Sequence, residues 1–250
     1  MRKGWAKMDM RERLIIALDF SRADEALALV DELKDLVSFY KVGMQLFNAE
    51  GPGIIERLRK KGVKIFLDLK YHDIPNTVAG AAEVAVRQGV EMFNLHLSGG
   101  RKMVETTLAR VNKTVEETAM PRPLLLGVTV LTSLDEKTLQ EEIGIRRSLK
   151  EQVLYLAKMG EAAGLDGVVA SPQELGLLRR SLGESFLIVT PGVRPSWAAP
   201  NEQKRITTPE EAIQKGSDYL VVGRPVTKNA SPREAAKKII TEMNGGNNRC

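Results

Sequence analysis

Two rhythms of apolar and polar residues alternate along this chain. Short runs rich in Val, Ile, Leu and Phe occur at 13–20 (RLIIALDF), 38–46 (SFYKVGMQL), 64–70 (KIFLDLK), 92–98 (MFNLHLS), 124–131 (LLLGVTVL), 167–171 (GVVAS), 186–192 (FLIVTPG) and 219–225 (YLVVGRP). Such runs predict strands. Between most of them lie segments with apolar positions three and four apart, among them ADEALALVDELKDL, PNTVAGAAEVAVRQG, GRKMVETTLARVNKT, SLKEQVLYLAKMGEAAG, SPQELGLLRRSLG and SPREAAKKIITEM. Most of their starts carry Ser, Asp or Pro and several close on Gly, as helix capping predicts. Eight strands alternating with helices over 250 residues predict an α/β fold, a (β/α)8 TIM barrel in a single domain. No G-x-G-x-x-G follows the first strand, which counts against a doubly wound open sheet. The barrel is expected over 13–243, with loose tails at 1–12 and 244–250.

Composition adds boundaries rather than identity. A chain 43% hydrophobic and 28% charged is ordinary for a globular protein with a sizeable core. No run approaches the ~18 consecutive apolar residues of a membrane span, and MRKGWAKMDMRER lacks the apolar stretch and cleavage site of a secretory signal. The single cysteine, Cys250, can form neither an internal disulfide nor a metal cage, so a cytoplasmic setting is expected. The net charge of +5 is spread among acids with few aromatics. That is unlike a nucleic-acid stripe and equally compatible with an anionic small substrate.

In a barrel of this kind the chemistry lies at the C-terminal ends of the strands. The polar residues there are Asp19, Lys41, Asp68 with Lys70, His96, Thr132, Ser171, Arg194 and Arg224. Any one of them can simply mark where a strand surfaces; the set as a whole points to one mouth. Within FLDLKYHDIPNT, strand alternation puts Phe66, Asp68 and Lys70 on one face and Leu67 and Leu69 on the other. Asp68 and Lys70 then form either a structural ion pair or a partly desolvated acid–ammonium pair able to keep a proton donor charged and aimed. Asp73 is equally placed to be an N-cap for the helix beginning near Pro75. His72 and His96 have ordinary readings as loop and strand-end histidines.

A second constellation suits anions. TPGVRPSW (190–197) follows the seventh strand and VVGRP ends the eighth, where such barrels frequently hold phosphate. Gly223 allows close approach of a backbone N–H, and Arg194 or Arg224 can offer a guanidinium fork. The polar loop 193–208, with Trp197 and Gln203, is placed to close over the anion. The chain contains no P-loop, H-E-x-x-H, Cys/His cluster or G-x-S-x-G, so no metal or organic cofactor is expected.

The ordered set ALDF, KVGMQLF, FLDLKYHDIPNT, VTVLTS, TPGVRP and VVGRP resembles the orotidine 5′-phosphate decarboxylase family, from about Arg13 to the final helix. A lone D-x-K-x-x-D marks only a wider decarboxylase–aldolase superfamily. The resemblance implies cofactor-free conversion of orotidine 5′-monophosphate (OMP) to UMP and carbon dioxide in pyrimidine biosynthesis. It implies Lys70 as proton donor to C6, Asp68 against the substrate carboxylate, and Lys41 and Asp73 completing a charged network. Asp19 and Lys41 would hold ribose hydroxyls and Thr132 the pyrimidine edge. Arg194, Gln203, the N–H of Gly223, and Arg224 would grip phosphate. The family implies a homodimer in which Asp73 and Thr77 reach into the neighbouring subunit's site. One departure is Asn201 in APNEQKR, where members often carry an acid. The alternative within the superfamily is a magnesium-dependent sugar-phosphate decarboxylase or aldolase. Those relatives resemble one another in an acid at the end of strand 2, where this chain has Lys41. A non-catalytic nucleotide- or nucleic-acid-binding barrel gives no reason for the acid–lysine–acid set.

Overall fold

The computed structural model describes residues 9–198 and 207–245. Its eight strands are β1 (Leu14–Ala17), β2 (Phe39–Gly43), β3 (Lys64–Tyr71), β4 (Met92–His96), β5 (Leu124–Val128), β6 (Gly167–Val169), β7 (Leu187–Pro191) and β8 (Tyr219–Val222). They neighbour one another in chain order and close into a barrel, the (β/α)8 architecture that the alternating rhythms predict. The helices are α1 (Met10–Arg13), α2 (Ala23–Leu33), α3 (Met44–Glu50), α4 (Gly53–Arg59), α5 (Pro75–Arg87), α6 (Arg101–Thr118), α7 (Leu149–Ala163), α8 (Leu175–Ser181), α9 (Pro209–Gln214), α10 (Arg224–Thr227) and α11 (Pro232–Met243). None of the described helices is long and apolar enough to cross a membrane.

The chain forms two compact units, Met1–Asp68 with Thr190–Cys250 and Leu69–Val189. In the first, β8 pairs with β1, β1 with β2 and β2 with β3, all parallel. Every residue of β1, β2 and β8 is buried, as expected of parallel strands covered on both faces. Leu14, Ile15 and Ile16 have no exposed surface, and each such side chain stabilises the fold by about 1.5–3 kcal/mol. In the second unit β4 through β7 form a parallel ladder. There α5 buries Val78, Ala79, Ala82, Ala85 and Val86, three- and four-residue spacings with alanines that allow close approach.

Seven of the eight strands end earlier than their apolar runs; β3 alone runs one residue further, to Tyr71. Gly43 closes β2 and α3 begins at Met44, inside the stretch expected to be strand. The pair α3 and α4 was hidden by the breaker Gly51-Pro52-Gly53, which serves here as the turn between two short helices, with Gly51 at φ 64°. Residues 9–12, expected to be loose, are ordered as well. Asp9 accepts the N–H of Arg11 and caps α1. The Arg13 guanidinium donates to the carbonyls of Ser217 (2.6 Å) and Asp218 (2.8 Å), satisfying backbone oxygens just before β8.

Candidate active site

Lys41 sits in the middle of fully buried β2, where a cation survives only if paired. Its Nζ lies 3.2 Å from Asp19 Oδ1 and 3.3 Å from Asp68 Oδ2. The Lys41 and Asp68 side chains are only 11% and 12% exposed, so this contact carries about 5 kcal/mol of direct attraction at an effective dielectric of ~20, opposed by desolvation. Strand register builds the cluster: Lys41 stands level with Ala17 and Phe66, and Gly43 with Asp68. Gly43, within the motif KVGMQLF, gives the ammonium room. A Cβ there would stand 2.9 Å from the Lys41 ammonium, which its two carboxylates hold in place.

Of these residues Asp19 and Lys41 border a cavity of about 590 Å³, together with Ala17. Asp19, Lys41, Arg194, Trp197, Gly223 and Arg224 all line it, six of the residues singled out from the sequence; Lys228 joins them. Gly223 precedes the helical turn α10, which Arg224 opens. A Cβ on Gly223 would meet only ordinary contacts at 3.6 Å, so space alone does not demand glycine there. The N–H of Arg194 donates to Thr207 O at 3.0 Å, tying together the two described flanks of the loop. Gln203 and Asn201 lie outside the described residues.

Lys70 belongs to the second unit, and its backbone was not foreseeable. It has φ 53°, one of two non-glycine residues in the left-handed region among those described. That conformation costs roughly 1–3 kcal/mol for a lysine and clusters at functional sites. It also interrupts the regular pleat, so the alternation argument that placed Lys70 with Phe66 and Asp68 holds only up to Leu69. The Lys70 N–H donates to Asn94 Oδ1 at 2.9 Å. Tyr71 turns against Phe93, ring centroids 6.1 Å apart, and burial pushes its phenol up to about 12, so it stays neutral near pH 7. His72 and His96, read as unrelated histidines, stack on each other at 5.4 Å.

The capping alternative for Asp73 is corrected. The N-cap of α5 is Ile74, with no side-chain cap, and Asp73 Oδ1 instead accepts the N–H of Ile74 at 2.6 Å. Asp73 and Thr77 are both exposed, beside an Ile74 that is 67% exposed. Thr132 is not at a strand end, because β5 stops at Val128; it is exposed in the following loop. The polar residue leaving β5 is Thr129, buried, with Oγ1 donating to Val169 O at 3.2 Å. Ser171 is accounted for locally: its Oγ accepts the N–H of Gln173 as the chain turns into α8. Asn94, fully buried within MFNLH, was missed although a lone polar residue in an apolar run is itself a signal.

Residues 12–239 match the profile described as orotidine 5′-phosphate decarboxylase / HUMPS family. The orotidine 5′-phosphate decarboxylase of Syntrophomonas wolfei is 49% identical over 237 residues, 94% of this chain and 99% of that one. That of Syntrophotalea carbinolica is 50% identical over 236 residues, covering 94% and 96%. The crystal structure of orotidine 5′-phosphate decarboxylase from Lactobacillus acidophilus superposes with a TM-score of 0.83 at 38% identity, covering 93% of this chain and 99% of that one. With its profile matched almost end to end and close relatives aligned over nearly their whole length, the chain belongs to the orotidine 5′-phosphate decarboxylase / HUMPS family.

Proposed function

We propose that the chain decarboxylates OMP to UMP, and that the observation carrying this reading is the Lys41 ammonium held between Asp19 and Asp68 at the edge of a cavity bearing two guanidinium groups. A magnesium-dependent relative needs an acid on β2 at the position of Lys41; the ammonium there repels a divalent cation. Every curated relative quoted above bears the decarboxylase name, which favours the metal-free member of the family over the sugar-phosphate alternative.

In the proposed chemistry the bond from C6 to the carboxylate breaks and its electron pair remains on C6, in the ring plane, where the π-system cannot take it up. Carbon dioxide departs. The Lys70 ammonium stabilises the developing charge and then transfers its proton to C6, forming the C–H bond of UMP. Asp68 lies against the departing carboxylate, while Lys41 fixes Asp68 and, with Asp19, holds ribose hydroxyls. Arg194, Arg224, the N–H of Gly223, and Gln203 bind phosphate, and Thr132 the pyrimidine edge. Binding energy gathered far from C6 is what positions the reacting ring. We further infer a homodimer in which Asp73 and Thr77 serve the partner's site. It is supported by their exposure and by the exposed apolar side chains Ile74 and Val84 of the same segment. The lone cysteine supports a cytoplasmic setting.

The test is the loss of OMP ultraviolet absorbance, with and without EDTA. Turnover is expected and is insensitive to the chelator. A folded protein inert toward OMP but active on a sugar phosphate with magnesium would overturn the assignment. Within this scheme Arg224→Ala removes a charge-assisted hydrogen bond of about 1.5–3 kcal/mol. The expected result is a roughly 10–150-fold fall in kcat/KM. Addition of inorganic phosphite to a truncated nucleoside substrate then activates the variant less than the wild type.

A further inference from the structure

We infer that Asn94 is a positioning residue for Lys70: its side-chain carbonyl holds the backbone conformation from which the lysine presents its ammonium. The inference deepens the proposed role of Lys70 and rests on it.

Three observations carry it. Lys70 adopts φ 53° at the seventh residue of an eight-residue strand, a conformation an unbranched L-residue leaves for the extended region unless something holds it. The group that holds it is identifiable, since the Lys70 N–H donates to Asn94 Oδ1 at 2.9 Å. Asn94 in turn has no exposed surface and occupies the centre of β4, flanked by Phe93 and Leu95, also fully buried. A primary amide placed there is costly unless its hydrogen bonds are made, so its presence calls for a purpose that an aliphatic residue cannot serve.

The contact is one half of a two-point hold. Two residues beyond Lys70 and Asn94, the His96 ring at the end of β4 lies on that of His72, just past β3, centroids 5.4 Å apart with the planes inclined by 38°. Gly99 lies in the turn that follows β4: a Cβ there would strike the Met103 thioether first and would stand 3.2 Å from His72 Cδ2. β4 and its turn thus grip the segment 70–72 on both sides of Tyr71. If the Asn94 acceptor is removed, relaxation of Lys70 to an extended φ rotates its Cα–Cβ bond about the strand axis. A displacement of ~1 Å at a reacting group is enough to cost ~10²-fold in rate.

The experiment compares Asn94→Leu, of similar shape but without an acceptor, with Asn94→Asp, which keeps an oxygen in place. Both are assayed at a temperature where circular dichroism shows them folded, with Lys70→Ala in parallel. For Asn94→Leu the expected result is a fall in kcat of ~10–100-fold with the KM for OMP and the affinity for UMP within about twofold of wild type. Asn94→Asp retains most of kcat. A purely structural role lowers the melting temperature of both variants and leaves kcat of the folded protein intact; that result overturns the inference, as does equal loss of kcat in both. Should Asn94→Leu fail to fold, Asn94→Ala is read by the same criteria. Full turnover by Lys70→Ala would overturn the role of Lys70 itself. An inactive Lys70→Ala beside a fully active Asn94→Leu overturns the positioning role alone.

Discussion

Lys70→Ala is expected to lower kcat by at least ~10³-fold while the protein remains folded and binds UMP with nearly wild-type affinity. The size follows from two losses at one atom. A general acid contributes ~10²–10⁴-fold, and in the proposed chemistry the same ammonium is the charge that stabilises an electron pair with nowhere to delocalise. Binding is expected to survive because Asp19, Arg194 and Arg224 line a cavity of the first unit to which Lys70 does not contribute. Folding survives because the Lys70 backbone amide, which bonds Asn94, remains in the variant. Alanine also keeps the penalty of φ 53°, so Lys70→Gly, free of it, is expected to melt slightly higher than Lys70→Ala. The measurement is single-turnover decarboxylation of OMP, with UMP affinity and a melting curve on the same samples. Turnover within tenfold of wild type would remove Lys70 from the chemistry.

The sequence made the barrel legible because parallel strands buried on both faces are continuous apolar runs, and eight of them stand out against amphipathic helices. It left out α3 and α4 because Gly51-Pro52-Gly53 ends one helix and starts another with the same residues that end structure altogether elsewhere. For the site, residue type and strand-end position were enough to find Asp19, Lys41, Arg194, Gly223 and Arg224, which do share one cavity. What could not be read was which partner each charge takes. Residue pattern alone paired Asp68 with Lys70, its neighbour in sequence, and only the family resemblance added Lys41 to the network; register brings Lys41 from the adjacent strand to 3.3 Å. Pleat alternation likewise cannot anticipate a left-handed lysine, since the cause lies on β4, 24 residues away, in a hydrogen bond to Asn94.

Mixing two inactive variants, Lys70→Ala and Asp73→Asn, is expected to restore about a quarter of wild-type activity once subunits exchange. In a two-fold dimer with shared sites, random reassortment makes half the dimers mixed, and each mixed dimer has one site built from intact residues. The structural motive is the contrast between the two acids of the motif. Asp68 is buried against Lys41. Asp73 is exposed, its Oδ1 taken up by the N–H of the next residue, and it is followed by an isoleucine with two-thirds of its surface exposed. A carboxylate that serves a dry reaction site is poorly placed on such a surface unless another subunit covers it. The control is Lys70→Ala mixed with Asp68→Asn. These two residues serve a site from the same chain, so every site of every dimer lacks one of them and no activity returns. Recovery in the first mixture and none in the second is the signature of Asp73 crossing the interface. Recovery in neither, with exchange verified by mass spectrometry, would place each site within one subunit.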